Sequence, residues 1–223
     1  MAFILDSGGI YRSELLARLD WLEHGFGTRE SGAWLDGEPA ATLSQIHSNI
    51  VYRTCGETGR LGEGDALVAS TSGIWISIRT ADCAPVVLAD HRKRVIAVVH
   101  AGWRGAVDSI LAHAVHRMCA DFATSVSDLH AAIGPTIGHC CFEVGPEVAR
   151  RFQPWFPERN DLDRKTEVDL PETLARQLRN LGVNPARIDP SGACTMCGGS
   201  RFESFRREGA AAGRMVTAAR IRA

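Results

Sequence analysis

The sequence predicts an α/β fold, and three observations carry that expectation. Residues 75–80, 86–89 and 95–99 read as three short strands in succession, each ending where polar or turn-forming residues begin. After them, Val107, Ile110, Leu111, Ala114, Val115, Met118, Cys119 and Phe122 recur at steps of three and one, the pattern of a helix whose single apolar face packs on a sheet. A length of 223 residues with 45% hydrophobic and 23% charged content suits one compact domain, 1–223, and no repeat, low-complexity tract or linker divides it.

The other elements follow in chain order. Residues 3–5 suggest a short strand and residues 14–22 a weak helix. The glycines of His24-Gly-Phe-Gly-Thr-Arg29 fit either a backbone held close to something or a plain turn. Residues 43–52 look like a strand interrupted at its centre, with His47 at the interruption. The stretch 62–69 is a turn entering a strand, and Asp65 at the junction either caps the turn or serves a site. Residues 129–134 read as a further strand, and Pro146 opens a helix over 146–152 in the first turn, where proline is tolerated. Asp169 and Glu172 make a capping box for a helix with Leu170, Leu174, Leu178 and Leu181 on its buried side, stopped by Gly182. Strands over 187–189 and 215–221 complete the chain.

Composition excludes several classes of function. The charges nearly cancel, 25 basic against 26 acidic residues, so the bulk chain is not drawn to nucleic acid or to an anionic membrane. No apolar run approaches the roughly 18 residues of a membrane span, and the first residues lack the basic start and apolar core of a signal peptide, so a cytoplasmic location is expected. A monomer is expected as well. Seven cysteines, an odd count spread over a sizeable chain, fit reduced thiols and metal chemistry better than a disulfide framework.

Cys83 leaves the first of the three central strands and His100 leaves the third. A thiol and an imidazole at neighbouring strand ends can converge on one ion or one substrate atom, whereas either alone means little. His47 taken singly is more often a structural residue; it becomes a ligand only if the cysteine and the second histidine converge on it. His113 and His116 fall opposite the apolar helical face and read as solvated, and Cys119 reads as an inert core thiol. His139, Cys140 and Cys141 offer further ligands, but adjacent cysteines point to opposite sides of an extended chain. Cys194-Thr-Met-Cys197 is half of a zinc knuckle or a redox pair, with no second half visible and no thioredoxin-like context. Arg201, Arg206 and Arg207 form a basic cluster suited to phosphate or to a plain solvated loop.

Taken together, Gln45-Ile-His-Ser48, Asp65-Ala-Leu67, Arg79-Thr-Ala-Asp-Cys83-Ala-Pro85, His100-Ala-Gly-Trp-Arg-Gly105, Ile133-Gly-Pro-Thr-Ile-Gly138 with Phe142-Glu-Val-Gly145, and Ser204-Phe-Arg-Arg-Glu-Gly209 with Gly213-Arg214 resemble the YfiH-like family. That family has long been labelled laccase-domain or multicopper polyphenol oxidoreductase. The resemblance implies a single layered α/β domain with mixed β-sheets flanked by helices, similar to cysteine hydrolases of the deamidating-toxin type. It implies a zinc site of His47, Cys83 and His100, acting in purine nucleoside phosphorolysis on adenosine, inosine and methylthioadenosine, with adenosine deaminase activity. The partners would be a purine nucleoside and phosphate, and Arg79, Asp82, Arg104 and Arg206 are the candidate substrate contacts. Three protein ligands leave a fourth position of tetrahedral zinc open, and zinc brings a water's pKa from about 16 to about 7.

The chain departs from the family pattern in the segment before the Gln-x-His motif, shortened here to residues 30–44, and in two extra cysteine pairs, Cys194 with Cys197 and Cys140 with Cys141, which either add a further metal or are incidental. Three rival readings stand beside the first. A copper oxidase that takes oxygen to water needs several coppers built from His-x-His pairs, and this chain has eight histidines and no such pair, although Cu2+ would bind a His/Cys site tightly. A metal-free amide hydrolase would use Cys83 as nucleophile and His100 as base. A metal-buffering or quality-control partner would use the fold for binding alone.

Overall fold

A computed structural model describes residues 2–223. The first part of the chain contributes strands β1 (Phe3–Leu5) and β2 (Tyr11–Ser13), a one-turn helix α1 (Glu14–Ala17), and strands β3 (Leu22–Phe26), β4 (Ala40–Ser44), β5 (Val51–Thr54), β6 (Gly59–Glu63) and β7 (Ala66–Ala69). The centre holds β8 (Trp75–Thr80), β9 (Ala84–Asp90) and β10 (Val95–Ala101), then α2 (Trp103–Val107), α3 (Ile110–Phe122) and β11 (Leu129–Ile133). The last part adds β12 (Glu143–Val144), α4 (Pro146–Ala149), β13 (Thr166–Glu167), α5 (Leu170–Asn180), β14 (Ile188–Pro190), α6 (Phe205–Glu208) and β15 (Met215–Ile221).

These strands form a seven-stranded sheet, β1-β2-β3-β15-β8-β4-β6, a six-stranded sheet, β14-β11-β9-β10-β7-β5, and a separate β12-β13 pair. Both large sheets are mixed, since β4 runs parallel to β6 and β8, and β5 to β7, while the central pairs are antiparallel. Side chains sort by the strand period of two. On β9 and β10, Val86, Leu88, Ala97 and Val99 join the core under the helices, whereas Val87, Ala89, Ile96 and Val98 join the core shared with the larger sheet. The six-stranded sheet is therefore a middle layer, buried on both faces. This is why β9 and β10 read as unbroken apolar runs rather than alternating ones.

The helices cover the outer face of that middle layer. Ile110, Leu111, Ala114, Val115 and Met118 bury one stripe of α3, and His113 and His116 point away to solvent. The helix begins three residues later than its apolar period suggests, because Ser109 adopts φ 61° and breaks α2 from α3. Asp169 caps α5 by accepting from the Glu172 N–H at 2.8 Å, and Gly182 ends that segment at φ 100°. Among the described residues no helix is long and apolar enough to cross a membrane.

Three sequence expectations are corrected here. The helix expected over 14–22 lasts only to Ala17, and Leu22–Phe26 is a strand, because pairing with β15 from Thr217↔Phe26 to Ile221↔Leu22 outweighs its modest helical preference. The interrupted strand at 43–52 is two strands in different sheets, β4 in the larger and β5 in the smaller, and β6 between them was not anticipated. The helix opened by Pro146 lasts one α-turn and continues as a 3-10 turn to Trp155.

His24 on β3 supplies a pH test of this fold. Its Nε2 accepts the Ser13 N–H at 3.0 Å in a buried setting, so burial, with the nearby Arg12 guanidinium, holds its pKa at about 3. The folded state keeps the ring neutral while the unfolded chain protonates it near 6.5. The resulting stability is fully present above about 6.5 and drains as pH falls toward the folded value of about 3. Chemical denaturation between pH 7 and 4 should show this as a slope of up to about 1.4 kcal/mol per pH unit, reduced in His24→Gln. Equal slopes in both proteins would remove His24 from the account.

Candidate active site

The site lies where the chain crosses between the two sheets. One crossing leaves β4 of the larger sheet for β5 of the smaller and carries His47; the other leaves β8 for β9 and carries Cys83. Their proximity follows from register, since β4 pairs with β8 in one sheet and β5 with β7 in the other. His100 arrives on β10, opposite Pro85, at the same end. The three ligand atoms lie within 4.8 Å of one another, with Cys83 Sγ 3.7 Å from His47 Nε2 and the imidazole centroids of His47 and His100 4.9 Å apart.

Local backbone is bent to achieve this. His47 (φ 60°) and Asp82 (φ 85°) both occupy the left-handed region without being glycine, a conformation that persists only where surrounding contacts hold it. Gly102 must be glycine for another reason: a Cβ there would stand 2.8 Å from His47 Cδ2 and 3.1 Å from Cys83 Sγ. Gln45 fixes the flank of the site, accepting the Arg79 N–H and donating to the Arg79 carbonyl, each at 2.8 Å.

Asp65 organises the whole cluster. It is fully buried, and its Oδ1 accepts from His100 Nδ1 at 2.7 Å and the His47 N–H at 3.0 Å. Its Oδ2 accepts from the Ile46 N–H at 3.3 Å, and from the Ser48 N–H and hydroxyl at 2.6 and 2.7 Å. One carboxylate thus shapes the His47 loop and fixes the His100 tautomer, turning Nε2 toward the cluster. Burial works against the Asp65 charge, but hydrogen bonds from His100 and Ser48 hold its pKa at about 2. Burial likewise opposes charge on His100, yet Asp65 and Cys83 raise it to about 9; burial opposes the Cys83 thiolate, yet His100 and His47 bring it down to about 6.

Above the cluster opens a cavity of about 540 Å³, within the range of small-molecule sites. Arg79, Asp82, Arg104 and Arg206 all line it, but they differ in how far they are engaged. Asp82 is buried, and its two oxygens accept from Thr195 Oγ1 at 2.5 Å and the Arg206 N–H at 2.6 Å, so it shapes the wall. The Arg206 guanidinium donates to the Glu143 carbonyl at 2.9 Å. Arg104 rests 4.4 Å over the Trp103 ring, and among the described residues neither the Arg104 nor the Arg79 guanidinium has a hydrogen-bond acceptor. Phe142, Phe205 and Arg214 also line it, and Leu43 is the one residue of the shortened segment 30–44 that takes part.

Sequence reasoning named the three side chains that converge here and the four arginine and aspartate residues that line the cavity. It left Asp65 undecided between turn and site, and the structure gives it both tasks. Phe142, Phe205 and Arg214 were missed as cavity residues; their only signal was membership of motifs whose spatial neighbours a linear reading does not reveal.

The family described as multi-copper polyphenol oxidoreductase laccase matches residues 29–222. A purine nucleoside phosphorylase of Clostridium acetobutylicum is 33% identical over 82% of this chain and 78% of its own length. Adenosine deaminase RL5 of an unknown prokaryotic organism is 41% identical over 69% of this chain and 60% of its own length. In fold, the crystal structure of YlmD from Geobacillus stearothermophilus superposes with a TM-score of 0.90 over 99% of both chains, at 24% identity.

Proposed function

The chain belongs to the multi-copper polyphenol oxidoreductase laccase family, and from that premise we propose that it is a zinc-dependent purine nucleoside phosphorylase with adenosine deaminase activity. The observation that carries this reading is the His47, Cys83 and His100 cluster at the floor of a cavity with aromatic walls and two unengaged guanidiniums. Similarity to proteins named purine nucleoside phosphorylase and adenosine deaminase supports the choice of substrate. We take 1–223 as the catalytic unit.

The donor set fits zinc. Two imidazoles and one thiolate are ordinary zinc ligands, and three of them leave one position for water or substrate. His47, Cys83 and His100 would hold the ion, and when bound it would supply Lewis acidity and a water of lowered pKa. The rest is work for the protein. Asp65 keeps His100 oriented and carries the compensating negative charge behind it. Phe142 and Phe205 offer aromatic faces to a purine base. Arg79 and Arg104 reach into the cavity as phosphate clamps, a task for which a planar guanidinium is well suited.

The assay is release of hypoxanthine from inosine and adenine from adenosine, with and without phosphate. Phosphate-dependent release supports the proposal; no release of either base ends it. Within that assay Arg79→Ala and Arg104→Ala should each raise the KM for phosphate about 10- to 100-fold, the worth of one charge-assisted contact of about 1.5–3 kcal/mol. Unchanged phosphate KM in both variants would take these arginines out of phosphate binding.

One observation favours a second reading. The lowered thiol of Cys83 beside the raised imidazole of His100 is also how a metal-free cysteine hydrolase activates its nucleophile. Activity that survives complete metal removal would move the assignment there.

A further inference from the structure

Four of the seven cysteines meet at a second place, outside the His47, Cys83 and His100 cluster. The Sγ atoms of Cys140, Cys141, Cys194 and Cys197 all lie within 4.8 Å of one another. We propose that these four thiolates form a closed structural zinc site that fixes one wall of the catalytic cavity.

Topology brings the two halves together. β11 and β14 are parallel neighbours in the six-stranded sheet, so the loops that leave their ends run side by side, and Thr136 bridges to Cys194 in parallel register. The first loop turns back on itself, with the Cys141 and Phe142 N–H groups both donating to the Gly138 carbonyl at 3.0 Å. This tight turn removes the objection to adjacent cysteines: Cys140 and Cys141 sit on a bend, not on an extended strand, and both sulfurs reach the same point. The second loop is a Cys-x-x-Cys turn closed by the Gly198 N–H on the Cys194 carbonyl at 2.9 Å. Each loop therefore supplies half of a knuckle, the Cys-x-x-Cys turn one half and the vicinal pair the other.

Two features mark a site for an ion rather than a chance meeting. A tetrahedral ion with Zn–S bonds of about 2.3 Å sets its sulfurs about 3.8 Å apart, and Cys140 Sγ and Cys197 Sγ stand 3.6 Å apart across the two loops. The Gly138 N–H points at Cys194 Sγ at 3.2 Å, the kind of donor that supports a bound thiolate. Disulfides would need the sulfurs drawn off in pairs at about 2.0 Å, whereas an ion uses all four at once. With four protein ligands no position remains open, so the site is structural, and the thiol protons leave to solvent as the metal binds.

The tie to the active site runs through Asp82. Thr195, inside the Cys-x-x-Cys turn, donates its hydroxyl to Asp82 Oδ1 at 2.5 Å. From the other loop, Thr136 Oγ1 and the Ile137 N–H donate to the Asp82 carbonyl at 2.8 and 2.9 Å. An ion joining the loops would clamp Asp82, in its left-handed conformation, from both sides, one residue before Cys83.

Elemental analysis of protein purified with a thiol reductant tests this. The wild type should hold about two zinc per chain and Cys197→Ser about one, while Cys83→Ala, which removes a ligand of the other cluster only, should also hold about one. Cobalt substituted into Cys83→Ala should show the strong thiolate-to-cobalt charge-transfer and visible bands of a tetrathiolate centre. That measurement stands even if Cys197→Ser fails to fold, and it stands whether or not the protein is a phosphorylase. No residual metal and no cobalt band in Cys83→Ala would overturn the proposal. So would a non-reducing denatured mass showing disulfides among the four cysteines.

Discussion

Cys83→Ala should lower kcat/KM for phosphate-dependent base release on the order of 10⁴-fold or more, the scale on which catalytic units fail when one member is removed. The size of the effect follows from the geometry. Cys83 Sγ is the only sulfur in the cluster and lies within 4.8 Å of both imidazole ligand atoms, so its loss leaves two imidazoles, too few to hold zinc tightly. Zinc content should fall by about one per chain in parallel with activity. The fold should survive, because Cys83 is partly exposed in a turn and a smaller side chain there leaves no large cavity. Full activity in the variant would refute any central role for the thiol. Lost activity with unchanged metal content, in a wild type that works after metal removal, would assign Cys83 to nucleophilic attack instead.

Much of this architecture is legible in the sequence because burial writes itself into side-chain pattern. β15 was expected over 215–221 and lies there, and β8 to β10 and α5 fall within a few residues of their expected bounds. What escaped was decided by pairing at a distance. Residues 22–26 become a strand because β15 lies beside them, and β6, with two glycines and mostly exposed positions, exists only through its parallel partner β4. The site was legible in kind: a thiol and an imidazole at strand ends, with a histidine in a broken strand. Its assembly was not, because it depends on two crossings between sheets. The vicinal cysteines show the same limit, since an extended chain was assumed at 140–141 and the molecule makes a turn there.

Asp65→Ala should be the most destabilising substitution in the site, and it also tests how the site is held. The carboxylate is fully buried and accepts from three successive backbone N–H groups, of Ile46, His47 and Ser48, as well as from the Ser48 hydroxyl and His100 Nδ1. Alanine leaves these donors without an acceptor, at a cost of about 3–5 kcal/mol. For a chain of this length the melting temperature should drop on the order of 10 °C. Asp65→Asn separates charge from shape: its carbonyl oxygen can still receive His100 and His47, but its amide would face the Ser48 N–H. That variant should keep more stability while losing zinc affinity about 10- to 100-fold, as happens when the partner of a metal-bound histidine is altered. The order expected is therefore wild type, then Asn, then Ala in thermal stability, with both variants impaired in metal retention. A melting temperature and zinc content for Asp65→Ala equal to wild type would mean that the His47 loop holds its left-handed turn without the carboxylate. The link drawn here from one buried acid to the placement of His47 and His100 would then fail.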